Sequence, residues 1–372
     1  MNNIENHRQD ILKQLSEKFR IYGDFLYAEP CKIGHINETW IVVYNQGGSK
    51  IRYILQKINT NVFKNPDAVM ENITRITEHI RTRLQSEGTQ DITRRVLTIV
   101  PTHDGKPYYR TEKDECWRAF LYVEGARTFE AASSPKQAYQ AGKAFGTFQL
   151  LLSDFKGERL HETIPDFHNT RKRFNTLVSA IKTDHFNRAK TAEKEIEFAL
   201  KHESIVDVLL KAHASGKIPE RITHNDTKFN NVMLDIKTGE QMCVVDLDTV
   251  MPGLVLYDFG DMVRTTTSPT LEDELDLSKV KMRMSMFEAL VRGYYEATNS
   301  FLNKAEKAHL AFSGKLITFT IGIRFLTDFL MGDTYFRVHR PDHNLDRCRT
   351  QFKLVESIEE QEEKMQKFVD KL

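Results

Sequence analysis

One segment of the chain has residue types at spacings that could do chemistry. It reads His224-Asn225-Asp226-Thr227-Lys228-Phe229-Asn230-Asn231, runs on to a turn at Gly239, and returns through Val245-Asp246-Leu247-Asp248. The pattern is H-x-D-x-x-x-x-N, with a second Asp twenty residues after the first. Phosphoryl transfer from ATP needs a carboxylate to orient the attacking hydroxyl and accept its proton, and oxygen ligands for Mg2+ at the phosphates. A loop after one strand would hold Asp226 at the acceptor. Asn231 would turn back to the metal, and the returning strand would bring Asp246 to the same Mg2+. An Asn–Asp pair supplies the few hard oxygens that Mg2+ takes alongside phosphate and water. The plain alternative is a polar hairpin of residues that favour turns anyway. Three fixed positions at ~5% each recur by chance in about one chain in twenty of this length, so Asp246 and the strand–loop–strand setting carry the weight.

The elements that must hold this hairpin fall into two regions. From about Phe19 to Glu124 the pattern predicts short strands: Phe25–Ile33, Thr39–Asn45, Ile51–Ile58, Arg95–Val100, Lys106–Arg110 and Trp117–Val123. One helix interrupts them after Pro66, where Val69, Ile73, Ile76 and Ile80 recur at helical steps. From Ser134-Pro135, an N-cap with Pro at the first helical position, the chain reads as helical. Long patterns cover Arg188–Ala214, Lys279–Thr298, Lys304–Met331 and Gln351–Leu372, broken by strand-like pieces within Ile222–Tyr257.

Composition bounds the partners. The 372 residues carry 53 Lys plus Arg and 52 Asp plus Glu, a formal net charge of +1, which suits neither nucleic acid nor an anionic membrane. Cys31, Cys116, Cys243 and Cys348 are scattered with no metal-ligand spacing, the pattern of reduced thiols. The N-terminal residues have no apolar signal core. No stretch reads as a membrane span, Leu316–Ile323 being bounded by Lys315 and Arg324. A cytoplasmic protein with no obligate protein partner is the expectation.

The segment from Ile222 to Asp261 resembles the aminoglycoside phosphotransferase/choline kinase-like family. Ile33–Trp40, Tyr53–Phe63, Pro66–Ile73, His224–Asp235, Asp246–Gly253 and Ile323–Leu330 are more similar to its N-acetylhexosamine 1-kinase branch. The resemblance implies an α+β, protein-kinase-like bilobal fold with a small mixed β N-lobe (1–124) and a larger, mainly helical C-lobe (125–372). It implies an ATP- and Mg2+-dependent kinase acting on the C1 hydroxyl of GlcNAc or GalNAc. Choline, homoserine, an aminoglycoside or another sugar are alternative acceptors, and a nucleotide-binding scaffold without turnover is a further one.

Beside that resemblance, the loop Gly34–Glu38 sits where a nucleotide-covering loop belongs, with His35, Asn37 and Glu38 able to reach phosphate or sugar, the plain alternative being an ordinary hairpin loop. Kinases pair a third-strand lysine with a helix glutamate. Here Lys57 and Glu71 are the candidates, with Gln56 on the opposite strand face; alternation leaves open which of the two meets the cleft. Tyr122 and Glu124 fall where a hinge would bind adenine. Arg324 and Tyr335 are implied sugar ligands, the plain alternative being an i,i+4 pair of Arg324 with Asp328. Asp258-Phe259-Gly260 spells the kinase metal tripeptide but lies 32 residues after Asp226. Asp258 is therefore expected to hydrogen-bond the Asp226 loop or cap the next helix.

Overall fold

The computed structural model describes residues 3–31 and 36–372. Gly34 and His35, both named above as candidate ligands, lie outside the described residues. The chain opens with α1 (Asn3–Ser16), then β1 (Asp24–Pro30), β2 (Glu38–Gln46) and β3 (Ser49–Lys57). Next come α2 (Pro66–Ser86), β4 (Ile99–Val100), β5 (Tyr109–Arg110) and β6 (Cys116–Leu121). The strands form an antiparallel sheet in the order β1-β2-β3-β6-β4, with β5 paired to the end of β6. One face packs Trp40, Val42, Tyr44, Leu55 and Ala119 against Leu12 and Leu15 of α1. That helix goes unremarked in the sequence reading, although Leu12 and Leu15 sit one turn apart. On the other side, α2 starts at Asn65, whose Oδ1 accepts the Ala68 N–H at 3.1 Å, with Pro66 as first helical residue. Its buried stripe, Val69, Ile73, Ile76 and Ile80, joins the same apolar core as the helical lobe. The α2 residue Asn72 donates to the carbonyls of His161 (2.8 Å) and Val250 (2.9 Å), tying the two regions together.

Beyond Gly125 the chain forms β7 (Ala126–Arg127) and then α3 (Pro135–Leu152), α4 (Thr170–Thr183), α5 (Glu193–Lys201) and α6 (Val208–Ala214). Three short strands and their return follow: β8 (Arg221–Thr223), β9 (Val232–Asp235), β10 (Gln241–Val244) and β11 (Met251–Gly253). The remainder is α7 (Val255–Thr267), α8 (Met284–Thr298), α9 (Lys304–Ala308), α10 (Leu310–Leu330), α11 (His343–Glu359) and α12 (Glu362–Val369). Three of the long helices read from periodicity are split. Arg188–Ala214 breaks at the turn Glu203–Ile205, where Arg171 of α4 pairs with Glu203 and Asp207. Lys304–Met331 breaks at His309, whose ring donates back to the Ala305 carbonyl. Gln351–Leu372 breaks near Gln361, whose amide donates to the Met282 carbonyl. At Glu203–Ile205 and at Gln361 a polar tertiary contact overrides a continuous apolar period, whereas at His309 the ring caps the turn that precedes it.

At the centre lies α10, buried along nearly its whole length. With 21 residues it is long and apolar enough to cross a membrane by length and composition, contrary to the expectation drawn from Lys315 and Arg324; here it is the buried core helix of the lobe. Crossing α3 and α8 come close enough that backbone touches backbone. A Cβ on Gly293 would sit 2.0 Å from the Tyr139 carbonyl oxygen, and one on Gly142 would sit 2.2 Å from that of Leu290. Glycine is required at this crossing.

Candidate active site

The hairpin anticipated from spacing is β9–β10, and the loop before it, 224–231, is pinned from below. Asp258, at the first turn of α7, accepts the backbone N–H groups of His224 (2.9 Å) and Asn225 (2.7 Å) and the amide of Gln149 (2.7 Å). Its carbonyl accepts the Thr227 hydroxyl at 2.6 Å. Asp258 thus supports the loop, and its carboxyl, pushed up to about 7 by burial, faces N–H donors rather than the cleft. Asn225 takes a left-handed backbone (φ 66°), tolerable for Asn because its side chain bonds locally. That side chain donates to the Thr249 carbonyl at 2.9 Å.

His224 sets the separation of the two key aspartates. Its Nε2–H donates to the Val245 carbonyl at 2.9 Å, and its Nδ1 accepts the Asp226 N–H at 3.3 Å. Buried against Phe145 and Phe148, the ring is held neutral, its pKa lowered by burial. Asp226 then presents its carboxylate to Lys228, with Nζ 2.9 Å from Oδ1, and to Asn231, whose Nδ2 donates to Oδ2 at 3.1 Å. Burial raises this carboxyl, but the charge and hydrogen bond of Lys228, with help from His224 and Arg264, outweigh it and leave the group below its usual value. Lys228 was not singled out from sequence; its place two residues after Asp226 was the available signal.

Asp246 has the opposite balance. It sits in a left-handed conformation (φ 60°) at the head of a single 3-10 turn, Leu247–Thr249. Burial, Asp248 and Asp226 push its carboxyl up to about 7. Such a carboxylate is short of positive charge, which a divalent cation would provide. The Asn231 amide spends both its hydrogen bonds through Nδ2 on Asp226, leaving its carbonyl oxygen available among the described residues. Asp246 and Asn231 therefore fit as Mg2+ ligands. No group of three or more His, Cys, Asp or Glu able to hold a metal occurs among the described residues.

Other candidates are distributed differently from the expectation. Lys57 and Glu71 are not brought together. Lys57 forms an ion pair with Glu115, and Glu71, exposed at the surface of α2, meets His161 at 2.9 Å and Arg75 at 3.4 Å. Gln56 takes the inward face of β3 and accepts from Arg118 of β6. Tyr122 and Glu124 do lie in the connection between the lobes, but as partners of Arg52: its guanidinium stacks 4.0 Å above the Tyr122 ring and pairs with the Glu124 carboxylate. Arg94 donates to the Glu124 carbonyl (2.8 Å) and to Asp235 of β9 (3.0 Å), bracing this connection on the hairpin. Asn37 reaches across the cleft to Asp248 at 2.6 Å.

Arg324 and Tyr335 are neighbours, the guanidinium lying 3.4 Å from the phenol oxygen. Phe167, at 4.9 Å, and Phe336, at 5.4 Å, complete an aromatic surround. The alternative ion pair with Asp328 does not form. Asp328 instead accepts the N–H groups of Thr334 (2.9 Å), Tyr335 (2.8 Å) and Phe336 (2.9 Å), fixing the loop that carries Tyr335. Burial lowers the Arg324 pKa, and Arg324 has no carboxylate partner among the described residues. The link to the Asp226 loop is His168, missed from sequence because it lies in an irregular segment. Next to Phe167, its Nε2–H donates to the Asn225 carbonyl at 2.9 Å.

Two lobes, a sheet capped by a helix and a helical body bearing a catalytic-type hairpin, define a protein-kinase-like phosphotransferase fold. The chain matches the model of the phosphotransferase enzyme family, APH, over residues 28–283, and it belongs to that family. Among solved structures it is similar to a microcompartment-associated aminopropanol kinase, at 16% identity and a TM-score of 0.58 over 96% of this chain and 98% of that one. It is also similar to an aminoglycoside phosphotransferase from Alicyclobacillus acidocaldarius, at 12% identity and a TM-score of 0.59, over 97% and 96%. Choline kinase from Cryptosporidium parvum matches at 11% identity and a TM-score of 0.56, over 95% of each. At these identities the likeness is one of fold. Family membership makes the chain a small-molecule, ATP-using phosphotransferase.

Proposed function

We propose that the chain is an Mg2+-dependent kinase transferring the γ-phosphoryl group of ATP to the anomeric C1 hydroxyl of GlcNAc or GalNAc. In this reading residues 1–124 and 125–372 form the two lobes, with nucleotide against Tyr122–Glu124 and the acceptor over Asp226. Asp226 orients the C1 hydroxyl and takes its proton as the oxygen attacks phosphorus in line. An aspartate below its usual pKa is a weak base, so its contribution is mainly position. Lys228 holds that carboxylate ionised and aimed. Asn231 and Asp246 would hold Mg2+, which when bound neutralises phosphate charge.

The observation that carries the choice of acceptor is Arg324, a carboxylate-free guanidinium beside Tyr335 and Phe336. A cation there suits hydroxyl and acetamido oxygens and repels an ammonium acceptor. Of the acidic residues Glu272–Glu274, which could have suited an amine acceptor, two are already paired with cations. Glu272 holds Arg264 at 2.6 Å, and Asp273 holds His343 at 3.0 Å and Arg340 at 3.5 Å. The resemblance of Ile33–Trp40, Asp246–Gly253 and Ile323–Leu330 supports the same branch.

ADP release measured with GlcNAc, GalNAc, aminopropanol, choline, homoserine and an aminoglycoside tests this. Turnover on the N-acetylhexosamines, abolished in Asp226→Ala, is expected. Turnover confined to the amines, or ADP binding with no turnover on any acceptor, overturns it.

A further inference from the structure

Asp248 belongs to the helical lobe, yet both of its oxygens are held by the sheet lobe. Oδ1 accepts from Arg118 Nη1 at 2.5 Å, and Oδ2 accepts from Asn37 Nδ2 at 2.6 Å. The side chains of Arg118 and Asp248 are each only 2% exposed. The other donors of the Arg118 fork, Nε and Nη2, both go to Gln56 Oε1, at 2.9 and 2.5 Å. Asn37 is fixed in turn by the Asn59 N–H, which donates to its Oδ1 at 2.9 Å. The cation on the cleft side of the sheet therefore comes from β6, because β3 turns Gln56 inward and Lys57 outward.

A pair this deeply buried is poor glue. Taking two charges out of water costs about as much as their attraction returns, and an apolar pair of the same shape would pack as well. What the pair does provide is a fixed, forked geometry spanning two lobes. It ends on the 3-10 turn that begins at the left-handed Asp246. We propose that Arg118, with Asn37 and Gln56, acts through Asp248 as a positioning clamp that sets the sheet lobe over the Asp246 turn, so that Asp246 meets Mg2+ and the nucleotide phosphates in register. Arg118 is enclosed, with its donors spent on Asp248 and Gln56, so its role is that of a positioning residue. The inference rests on the reading of Asp246 as a metal ligand and adds residues that no motif assigns to it.

The test is calorimetric binding of ADP with and without Mg2+, together with thermal unfolding, and needs no acceptor. Arg118→Met alone leaves Asp248 buried and unpaired and is expected to lower Tm. Arg118→Met/Asp248→Asn removes the buried charge. It is expected to recover Tm toward the parent while the Mg2+-dependent gain in ADP affinity falls about tenfold or more, the scale for lost partners of metal ligands. Arg118→Lys keeps the charge without the fork and should regain only part of that gain. Should the double variant not fold, Asn37→Ala releases Oδ2 at the cleft edge and must still reduce the Mg2+-dependent gain. A double variant with parental Tm and parental Mg2+ gain, or an Asn37→Ala protein with parental gain, overturns the clamp. Asp246→Ala separates the two readings. If it keeps the Mg2+ gain, the metal assignment fails; if it loses the gain while the clamp variants keep it, only the clamp fails.

Discussion

Lys228 Nζ lies 2.9 Å from Asp226 Oδ1, and this contact keeps a half-buried carboxylate charged. Without Lys228, burial is left as the main influence on Asp226, and burial raises it. The direction follows. A base that must be ionised loses activity as pH falls through its pKa, so raising that pKa moves the loss to higher pH. In Lys228→Met, the acid limb of the kcat/KM profile is expected to shift toward neutrality with the alkaline limb unmoved. An unshifted acid limb would mean that Asp226 is held ionised by something else. Asp226→Asn, which cannot take the proton at any pH, should lose roughly 10²–10⁴-fold in kcat.

Arg324 offers a different signature. If its guanidinium binds acceptor oxygens and not the nucleotide, Arg324→Met should raise KM for the acceptor by roughly 10–100-fold, the scale of a charge-assisted hydrogen bond. KM for ATP should stay put. Equal effects on both substrates in initial-rate measurements would instead place Arg324 in a general structural role. Asp328→Asn should act in the same direction more weakly, since it loosens the Thr334–Phe336 backbone that presents Tyr335.

The hairpin was legible because its chemistry is local: Asp226 and Asn231 share one loop, and Asp246 follows just after the returning strand. What escaped was assembled from residues far apart. Arg118 and Gln56 are 62 positions apart, and Arg118 and Asp248 are 130 apart. The signal for Arg118 was present, a lone charge inside the apolar strand Cys116-Trp117-Arg118-Ala119-Phe120, but nothing local says what it meets. Lys57 looked like the kinase lysine through position in the strand alone, whereas its partner Glu115 is set by how β3 pairs with β6. The helix break at Gln361 goes with a contact to Met282 in another part of the chain, which a period of 3.6 residues does not encode.

The α3–α8 crossing gives a stability prediction. In an ordinary exposed helix, Gly→Ala would gain about 1 kcal/mol. At Gly293 the added methyl would meet the Tyr139 carbonyl oxygen at 2.0 Å, so the helices must separate. Gly293→Ala should therefore destabilise by roughly 1–3 kcal/mol, the cost of overpacking. Denaturant unfolding reads this directly, and a stabilised variant would contradict the close crossing.

His168 sets a pH dependence of stability. Burial lowers its folded-state pKa to about 4, and its uncharged ring donates Nε2–H to the Asn225 carbonyl while Nδ1 has no partner. The unfolded chain protonates its histidine near pH 6.5. Between about 6.5 and 4 the unfolded state thus binds the extra proton, and stability falls as pH falls, at about 1.4 kcal/mol per unit for this one group. Asp258, raised to about 7 in the fold, works in the opposite sense over much of the same range. Comparing the parent with His168→Gln cancels that contribution, because both proteins carry Asp258, and the glutamine amide retains a donor for Asn225. From pH 7 to pH 5 the parent is expected to lose about 2 kcal/mol more than His168→Gln in urea unfolding. Parallel stability curves for the two proteins would show that His168 takes up its proton in the folded state as readily as in the unfolded chain.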